Sequence, residues 1–404
     1  MQTFRLAWRN IWRNKRRTSV TVAAMAVAVL VTTVYSSMVT GYLGNMERDA
    51  LDLEVGAAEI FAAGYQDKPS VFTAMPDSAA VVRALDAQGI AASERLLAAG
   101  LASAGEASAG VTFRGLNVEQ DARVLTIGRQ VREGEWLDPA DPRGVVVGSR
   151  LAKTLGVKVG SEIVMLGQAT DGSIANELGV VRGILRSVGE ATDRSGIFMT
   201  QDAFRGFMAY AGGAHQIIIQ RQPQVTLELL EPRLEAVAPR HDVQTWRELM
   251  PMLGTMLDST KGLMAFMSLI VNIAIAIVVL NAMLMAVFER IKEFGILKAL
   301  GAGALDVLKL IYAESMMQVG LAVAAAAVLA VPSLWYLSVV GIDMGALAGV
   351  SAMGLSMGSS WQAVVTPATL ITPVTMTVAV VTLAVLYPAL KAALIEPVRA
   401  IHHT

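Results

Sequence analysis

The chain contains no cysteine among its 404 residues, so neither a disulfide bond nor a thiol nucleophile is available to it. The nucleotide-binding pattern G-x-x-x-x-G-K-[ST] and the zinc-protease pattern H-E-x-x-H are also missing, which excludes a P-loop and a zinc site of that type. Only four histidines are present. His215 falls in a predicted strand, His241 near a loop, and His402 and His403 at the end of the sequence, so none is assigned to catalysis or metal binding. We expect no catalysis by this chain.

Charged residues are also scarce. They make up 17% of the sequence against 54% hydrophobic residues, with a mean hydropathy of +0.52. Such values are typical of a polytopic membrane protein that carries a soluble portion. Residues 43–260 contain 20 Lys and Arg against 28 Asp and Glu, whereas the rest of the chain contains 13 against 6. A uniformly basic nucleic-acid-binding protein is therefore excluded, and no nucleic acid is expected as a partner.

Four apolar segments are long enough to cross a bilayer, which requires about 20 mainly apolar residues. They cover residues 18–42, 262–287, 307–333 and 367–390. The first follows a basic N-terminal stretch, as in a signal peptide, but it exceeds the apolar core of about 7–15 residues found there. We therefore interpret it as a retained transmembrane helix.

The positions of Lys and Arg predict the orientation of these helices, since short loops rich in both face the cytoplasm. Residues 1–17 contain six basic residues and no acid, and the loop 288–306 contains three basic residues. The connection 334–366 contains no Lys or Arg. Both termini, including the tail 391–404, and the loop are therefore predicted to be cytoplasmic, whereas residues 43–261 and the connection lie outside.

Residues 4–17 have the pattern of an amphipathic helix, called here the elbow helix. Phe4, Trp8, Ile11 and Trp12 share one predicted face, while arginines occupy another. This pattern predicts a helix in the cytoplasmic interface, with its tryptophans at headgroup depth and its arginines toward the phosphates. A positively charged topology anchor with no further role explains the same residues equally well.

The segment 43–261 is predicted to form a large domain of strands and helices. Short β-branched runs predict strands at residues 57–62, 110–117, 143–149, 161–168, 178–187, 195–201 and 214–221. Helical patterns cover residues 77–88, 149–155 and 226–238. Alternating strands and helices are typical of α/β and α+β domains. Asp171-Gly172 predicts a hairpin tip.

Both ends of this domain are predicted to continue the adjoining transmembrane helices as stalk helices. Leu249, Leu253, Met256 and Leu257 recur at helical spacing before the second span, which predicts a helix packed against the extension of the first span at 43–53. Ordinary core packing explains the same stripe equally well. Two continuous stalks would carry motion between the membrane and the outer domain.

The loop 288–306 combines mixed charge with apolar residues. It reads F-E-R-I-K-E-F-G-I-L-K-A-L-G-A over 288–302, and Gly301 is expected to end its helix. Phe294, Ile296 and Leu297 are too apolar for an idle loop, which favours a protein partner. A reverse turn that folds back onto the bilayer is an equal alternative on composition alone.

These motifs resemble those of the MacB/FtsX superfamily of ABC transporter permeases. The segment E-R-I-K-E-F-G-I-L-K-A-L-G-A at 289–302 resembles the family's loop after the second span. The basic start at 7–18, A-W-R-N-I-W-R-N-K-R-R-T, is similar to its N-terminal elbow. Y-P-A-L-K-A-A at 387–393 followed by E-P-V-R-A-I at 396–401 resembles its C-terminal signature. With the one-plus-three order of spans, the resemblance covers essentially the whole chain.

The resemblance implies a polytopic α-helical membrane protein with four transmembrane helices and a large α/β extracytoplasmic domain inserted between the first and second. It implies that the loop is a coupling helix that docks on an ATPase subunit, through Phe288, Glu289, Arg290, Lys292, Glu293, Phe294, Gly295, Leu297, Lys298 and Gly301. ATP and magnesium would bind to that subunit, and no cofactor to this chain. A second permease copy or a paralogue would complete a dimer in the cytoplasmic (inner) membrane.

A narrower resemblance is to the lipoprotein-releasing LolC/LolE branch. It is carried by A-E-I-F-A-A-G-Y at 58–65, V-G-S-R-L-A at 147–152, L-G-V-K-V-G at 155–160 and T-W-R-E-L-M-P at 245–251. It implies mechanotransmission and the extraction of lipoproteins or lipid-like cargo from the outer leaflet, with delivery to an extracytoplasmic carrier. Two alternatives stay open: a permease for drug or peptide export, and an FtsX-like signalling scaffold that activates a cell-wall hydrolase. MacB carries a fused ATPase domain, so the missing P-loop implies a separate ATPase subunit.

Three polar residues of the predicted spans are functional candidates. Glu314 is the one ionisable residue well inside a span, and an intramembrane carboxylate must face a partner or water. Its expected structural role is to pair with the basic elbow or with Lys309. Asn272 and Asn281 are expected to form interhelical hydrogen bonds.

Overall fold

The computed structural model describes residues 2–222, 224–343, 351–352, 355–356 and 360–394, with side chains over residues 6–222, 224–342 and 361–394. The signature at 396–401 and the pair His402-His403 lie outside the described residues. The chain divides into two compact units. The helical unit comprises Met1–Leu43, Leu257–Asp343 and Ser360–Thr404, and the sheet unit comprises Gly44–Met256 and Met344–Ser359.

The described residues form helices and strands in the following order. The α-helices are α1 Gln2–Arg13, α2 Lys15–Ala50, α3 Ser78–Asp86, α4 Val118–Val124, α5 Ser149–Leu155, α6 Glu190–Ser195, α7 Gln201–Phe207, α8 Leu227–Val237, α9 Trp246–Leu249, α10 Pro251–Glu289, α11 Ile291–Ala299, α12 Ala304–Val339 and α13 Pro367–Leu394. A π-helical turn, Leu51–Val55, follows α2, and a 3₁₀ turn covers Ile127–Gln130. The main strands are β1 Ala58–Phe61, β2 Ala92–Ala104, β3 Ala107–Leu116, β4 Val131–Gly134, β5 Gly144–Val147, β6 Glu162–Gln168, β7 Ile174–Leu185, β8 Gly196–Thr200, β9 Gln216–Ile219 and β10 Asp242–Thr245. Four two-residue strands follow: β11 Ile342–Asp343, β12 Ser351–Ala352, β13 Leu355–Ser356 and β14 Ser360–Trp361.

Four of these helices have the length and composition of membrane spans. α2 with its π-helical turn covers 41 residues, α10 covers 39, α12 covers 36 and α13 covers 28. Each contains an 18-residue window whose mean hydropathy lies between 1.9 and 2.8. The expectation of four candidate membrane helices is confirmed among the described residues, whereas the limits and orientation of the spans stay predictions.

Small residues allow the helices of the helical unit to pack closely. Ala322, Ala326 and Ala330 recur every four residues along α12 and are at most 7% exposed. Ala389 and Ala392 of α13 are fully buried. Membrane helices associate through such small residues, because lipid chains are as apolar as the side chains and supply no hydrophobic drive.

A short segment before α13 lies against α2. The indole Nε1 of Trp361 donates to the carbonyl oxygen of Met38 at 2.6 Å, and the N–H of Val364 donates to the carbonyl oxygen of Ser37 at 3.0 Å. A Cβ at Gly41 would lie 2.0 Å from the carbonyl oxygen of Gln362. Only glycine permits this approach of the two backbones.

The sheet unit contains one mixed sheet in the order β10-β1-β9-β2-β3-β8-β5-β7-β4, with β6 pairing with both β2 and β7. β3 pairs with β8 in parallel, as β5 does with β7, and the other pairs are antiparallel. One buried cluster contains Phe113, Ile163 and Phe204, and another contains Ile60 and Ile217. The expectation of a domain built from strands and helices is confirmed.

The sequence pattern locates most of these elements. Each predicted strand segment overlaps an observed strand, and the predicted helices correspond to α3, α5 and α8. The patterns miss three strands and three short helices: β2, β4, β10, α4, α6 and α7. The hairpin tip is confirmed between β6 and β7, where Gly172 has φ +87° and the carboxylate of Asp171 accepts a hydrogen bond from the N–H of Ser173 at 2.9 Å.

The stalk before the second span is continuous with it from Pro251, and only Leu249 departs from the predicted helical stripe. α9 ends at Leu249, Met250 has φ −126° and ψ 62°, and α10 begins at Pro251. Proline has no N–H to donate, so it fits the first turn of a helix and not a helix interior. Leu253 and Leu257 lie on α10 and are buried.

Candidate functional site

The predicted coupling loop contains a short helix between two helix termini of the helical unit. α10 ends at Glu289, and Arg290 interrupts the helix with φ −114° and ψ 17°. α11 ends before Gly301, whose φ of +100° lies in the region that favours glycine. Asp306 then caps α12, because its carboxylate accepts a hydrogen bond from the N–H of Gly303 at 3.0 Å.

One face of α11 is fixed to the rest of the helical unit. Ile291, Phe294 and Gly295 are buried, and Phe294 is part of the core shared by the long helices. Leu297 packs against the same core, and Lys298 Nζ donates to the carbonyl oxygen of Ala393 at 2.8 Å. Phe294 therefore anchors α11, which corrects the expectation that it is exposed to a partner.

The opposite face of α11 is open and largely apolar. Lys292, Ile296 and Leu300 follow one another at four-residue spacing, so they share a face of the helix. Ile296 is 53% exposed and Leu300 is 80% exposed. Leu305, at the start of α12, is 69% exposed, and Phe288, at the end of α10, is 46% exposed. We call Lys292, Ile296 and Leu300 the outer face of α11.

A buried ion pair ties the start of α11 to α12. The Arg290 guanidinium donates from Nη1 to Glu314 Oε2 at 3.0 Å and from Nε to Glu293 Oε2 at 2.9 Å. The same guanidinium lies 5.4 Å from the ring centroid of Phe294. The Arg290 and Glu314 side chains are 10% and 6% exposed. A buried charge needs such a partner, since isolation from water disfavours the ionised form.

Among the described side chains, Arg290 is the residue that reaches the Glu314 carboxylate, and neither Lys309 nor the described elbow arginines do so, which corrects the expected pairing. Lys309 precedes Glu314 by five residues, so at 3.6 residues per turn the two side chains point about 140° apart on α12. Arg290 reaches Glu314 because the break between α10 and α11 turns its side chain inward.

Two further ion pairs join the elbow to this loop. Arg13 Nη2 lies 2.6 Å from Glu293 Oε1, and Arg17 Nη1 lies 2.6 Å from Glu289 Oε2. Burial alone would raise the pKa of Glu293, but hydrogen bonds from Arg13 and Arg290 hold that pKa below its ordinary value. Glu293 thus bridges the elbow arginine Arg13 and the buried pair.

The predicted elbow segment 4–17 is divided between two helices, because α1 ends at Arg13 and α2 begins at Lys15. The apolar residues of α1 lie on two faces. Ile11 is 2% exposed and Ala7 is fully buried, whereas Trp8 and Trp12 face outward. The grouping of Ile11 with the two tryptophans is therefore wrong: it follows the buried stripe. The side chains of Phe4 and Arg5 lie outside the described residues.

The two asparagines do not make the expected interhelical bonds among the described residues. Asn272 Nδ2 donates to the carbonyl oxygen of Ser268 at 2.8 Å, one turn earlier on α10. Its Oδ1 is buried without a hydrogen-bond partner in the described part of the chain. Asn281 is exposed on α10. A local bond to the helix's own backbone thus satisfies Asn272 in part.

The turn that follows α2 is fixed within the sheet unit by two ion pairs. Asp52 lies in the π-helical turn, and Arg221 Nε donates to its Oδ1 at 2.8 Å. Glu54 in the same turn accepts from Arg114 Nη1 at 3.0 Å. Gly56 follows with φ +70°. Two charged contacts within three residues hold this turn on the strands and loops of the sheet unit.

A separate ion pair lies inside the sheet unit. Arg95 of β2 donates from Nη2 to Asp121 Oδ1 of α4 at 2.8 Å and from Nε to the same oxygen at 3.1 Å. The Arg95 guanidinium lies 5.9 Å from the ring centroid of Phe198. Sequence reasoning missed this pair, since neither residue belongs to a motif and their pairing depends on the strand order.

Two buried titratable groups accompany it. Glu59 of β1 is 5% exposed and accepts a hydrogen bond from Gln216 Nε2. Burial raises the pKa of Glu59 to about 8. His215 Nδ1 accepts from the N–H of Leu97 at 3.0 Å, and its Nε2 lies 2.9 Å from the carbonyl oxygen of Val71. Burial lowers the pKa of His215, whose side chain is fully buried.

One sequence pattern resembles a catalytic motif without its structural context. The residues 354–358 read G-L-S-M-G, the spacing of a serine-hydrolase elbow. That motif needs a sharp turn from a strand into a helix, whereas Leu355–Ser356 form a two-residue strand paired with Ser351–Ala352. The other three residues of the pattern lie outside the described residues. Within the described residues, no group of three His, Asp or Glu side chains could hold a metal ion.

These features define a membrane protein whose apolar helices accompany a separate mixed-sheet unit. Two family models match it: the MacB-like periplasmic core domain over residues 18–237, more than half of the chain, and the FtsX-like permease C-terminal domain over residues 265–397. The chain belongs to the MacB/FtsX-like superfamily of ABC transporter permeases. The resemblance at the level of the superfamily is confirmed.

Individual relatives are distant. An uncharacterized ABC transporter permease of Methanocaldococcus jannaschii is 25% identical over 197 residues, which are 46% of this chain and 47% of that protein. The chain therefore spans about half the length of this relative. The periplasmic region of MacB from Actinobacillus actinomycetemcomitans matches 51% of this chain and 94% of its own, with 12% identity and a TM-score of 0.36. The extracellular domain of the transporter YknZ from Gram-positive bacteria matches 47% and 99%, with 11% identity and a TM-score of 0.33.

Proposed function

We propose that this chain is the transmembrane permease subunit of an ABC transporter that works by mechanotransmission with a separate ATPase subunit. The outer face of α11 supports this proposal most directly. It exposes Ile296 and Leu300 on a helix whose other face is held by the core and by Arg290. A fixed helix with an exposed apolar face is suited to receive a rigid partner. The 404 residues hold no P-loop, so the proposal assigns nucleotide binding to the partner.

The proposal places α11 and both termini in the cytoplasm and the sheet unit outside the inner membrane, in the one-plus-three order of spans. The Lys and Arg distribution supports this orientation. α2 and α10 each contribute residues to both units, so a displacement of either helix would reach the sheet unit along a continuous chain of backbone hydrogen bonds. The ion pairs of Asp52 and Glu54 would then transfer motion of α2 to the strands.

A dimer with a second permease copy or a paralogue completes the proposed assembly. In the favoured version the cargo is a lipoprotein or another lipid-like molecule taken from the outer leaflet, as in the LolC/LolE branch, and passed to an extracytoplasmic carrier. The motifs at 58–65, 147–160 and 245–251 support this branch. Permeases for drug or peptide export and FtsX-like scaffolds that activate a cell-wall hydrolase are the alternatives.

The ATPase contact is tested by co-purification. After extraction from its native membrane in a mild detergent, the chain is expected to co-purify with a P-loop ATPase. Ile296→Glu or Leu300→Glu places a carboxylate on the outer face of α11 and is expected to abolish this association. Ile174→Glu is the matched control, because Ile174 is 81% exposed in the sheet unit. Retention of the ATPase by all three variants would contradict the docking face.

The cargo is tested separately by depletion of the chain in its native cell. The lipoprotein version predicts that outer-membrane lipoproteins accumulate in the inner membrane. Normal lipoprotein localisation together with increased drug susceptibility would favour the export alternative. Normal localisation with reduced cell-wall hydrolysis would favour the scaffold.

A further inference from the structure

The outward face of the elbow carries a groove that the proposed ATPase contact does not use. Leu6, Trp8, Arg9, Asn10, Trp12 and Arg13 line this open groove, whose volume is about 600 Å³. The two indole rings meet edge to face, with centroids 5.9 Å apart and planes at 67°. We call it the elbow groove.

The tryptophans are exposed on a helix that is otherwise well packed. Ala7 and Ile11 are buried on the neighbouring side of α1, so the helix is held in place while Trp8 and Trp12 are each about half exposed. Two large apolar rings with polar N–H groups are costly in water but favourable at the boundary of a bilayer. α1 directly precedes α2, a candidate membrane helix, which places the groove near such a boundary.

The positive charge of this region favours an anionic ligand. Residues 1–17 contain no Asp or Glu, and Arg9 has no hydrogen bond or ion pair to any described residue. Arg13 reaches both the groove and Glu293. A phosphodiester offers two oxygens that match the planar guanidinium of either arginine.

We propose that the elbow groove binds the headgroup of an anionic phospholipid, with Arg9 and Arg13 at its phosphate and Trp8 and Trp12 at the level of its glycerol backbone. A phospholipid is the occupant that uses both halves of the groove, because a soluble phosphate leaves the indole rings in water. The lipid phosphate then competes with Glu293 for Arg13.

This exchange is open to Arg13 because its ion pair is exposed. The Arg13 and Glu293 side chains are 58% and 41% exposed, and exposed ion pairs contribute little net stability. Glu293 keeps Arg290 as a partner when Arg13 leaves. Arg13 thereby links the charge of the membrane surface to α11. The consequence of this link for ATPase coupling rests on the proposed function.

The lipid site is tested without the ATPase. The full chain, purified in a neutral detergent, is titrated with phosphatidylglycerol or with phosphatidylcholine of the same acyl chains, and bound lipids are counted by native mass spectrometry. Phosphatidylglycerol is expected to bind at least tenfold more tightly. Arg9→Gln is expected to weaken it about three- to tenfold, and Arg9→Lys to restore most of the affinity.

Two matched controls separate the groove from general surface charge. Arg16→Gln removes the same charge from an exposed residue that does not line the groove, and is expected to change the affinity less than twofold. Glu293→Gln frees Arg13 and is expected to increase the affinity severalfold, whereas Glu289→Gln, whose partner Arg17 lies outside the groove, is expected not to.

Three results would overturn the proposal. Equal affinity for the two lipids removes the anion preference. Equal weakening of phosphatidylglycerol binding by Arg9→Gln and Arg16→Gln would mean that general surface charge, and not the groove, attracts the lipid. Competition by millimolar inorganic phosphate assigns the groove to a free anion. Because none of these measurements involves nucleotide hydrolysis, failure of the lipid site and failure of ATPase docking are distinguishable.

Discussion

The most buried ion pairs of the two units have different surroundings. In the sheet unit, Arg95 and Asp121 form an ion pair whose side chains are 1% and 3% exposed. In the helical unit, the charges form a graded series, from Arg290 and Glu314, which are almost buried, outward to Arg13 and Glu293. The first pair is sealed from solvent, whereas the series connects the interior of its unit to the surface.

This difference indicates different roles. A sealed pair has no alternative partner, because water and ions do not reach it, so it fixes one arrangement of β2 and α4. In a graded series the outer residues can exchange partners at a small cost in free energy, whereas the inner residues keep their positions. The helical unit therefore combines a fixed inner pair with exchangeable outer contacts beside α11, the helix proposed to receive the ATPase.

The largest effect is expected from breaking the sealed pair. Arg95→Met leaves Asp121 as an isolated buried carboxylate, which costs about 3–5 kcal/mol. Denaturant titration of the full chain, followed by hydrogen exchange of β2 amides, measures the loss. The double variant Arg95→Met/Asp121→Leu should regain most of it, since both charges are gone.

A matched control is available on the surface of the same unit. Arg194 pairs with Glu190 on α6 with side chains 68% and 46% exposed, so Arg194→Met is expected to change stability by less than about 0.5 kcal/mol. Equal losses at Arg95 and Arg194 would contradict the distinction between sealed and exposed charge.

The inner pair of the helical unit should come next. Arg290→Gln leaves Glu314 buried without its charged partner and is expected to cost about 3 kcal/mol. Under the proposed function it should also reduce transport-coupled ATP hydrolysis more than the stability loss accounts for, because α11 loses its fixed orientation. The conservative variant Arg290→Lys keeps the charge but loses the two-directional contact, and is expected to restore stability better than coupling.

Loss of stability with normal coupling in the folded fraction would limit Arg290 to a structural role. Glu314→Gln provides the complementary measurement, because it removes the buried carboxylate and leaves Arg290 bonded to Glu293. Glu314→Gln is expected to lower stability less than Arg290→Gln. Comparison of the two variants shows which of the two buried side chains carries the larger desolvation cost.

The sequence predicts the apolar framework well, because membrane helices need apolar runs of about 20 residues and buried strands favour short β-branched runs. The four long helices and the β-branched strands such as β5 and β9 follow from these two patterns. β2 was missed because its residues, A-S-E-R-L-L-A-A-G-L-A-S-A, are rich in alanine and lack β-branched side chains. Its position between β9 and β3 stabilises it through pairing that only the fold supplies.

The site was predictable as a segment but not as a set of contacts. The motif at 289–302 locates α11, and Gly301 marks its end. The pairing of Arg290 with Glu314 depends on the helix break after Glu289 and on the face of α12 that carries Glu314. The spacing of residues in the sequence predicts neither feature. The inward position of Phe294 likewise follows from the packing of α11 on the long helices.

A pH titration sharpens the account of the sheet unit. The pKa of Glu59 is raised by burial to about 8, against an ordinary value of 4.5. Between these values the folded state binds more protons than the unfolded state, so stability should fall as pH rises. The slope is at most about 1.4 kcal/mol per pH unit, or about 2 kcal/mol between pH 6 and pH 7.5. Glu59→Gln should remove this dependence, and a slope that persists in the variant would assign it to another group.

The smallest effect is expected at the outermost pair of the helical unit. Arg13→Gln should change stability by less than about 1 kcal/mol, because both side chains of the Arg13–Glu293 pair are largely solvated. Screening by salt should reduce even this difference, since the Debye length falls to about 3 Å at 1 M salt, which is close to the separation of this exposed pair. Unfolding of wild type and variant at low and high salt measures it. A loss of stability as large as that of Arg290→Gln would contradict the graded series, because Arg13 would then belong to one rigid cluster with the fixed pair.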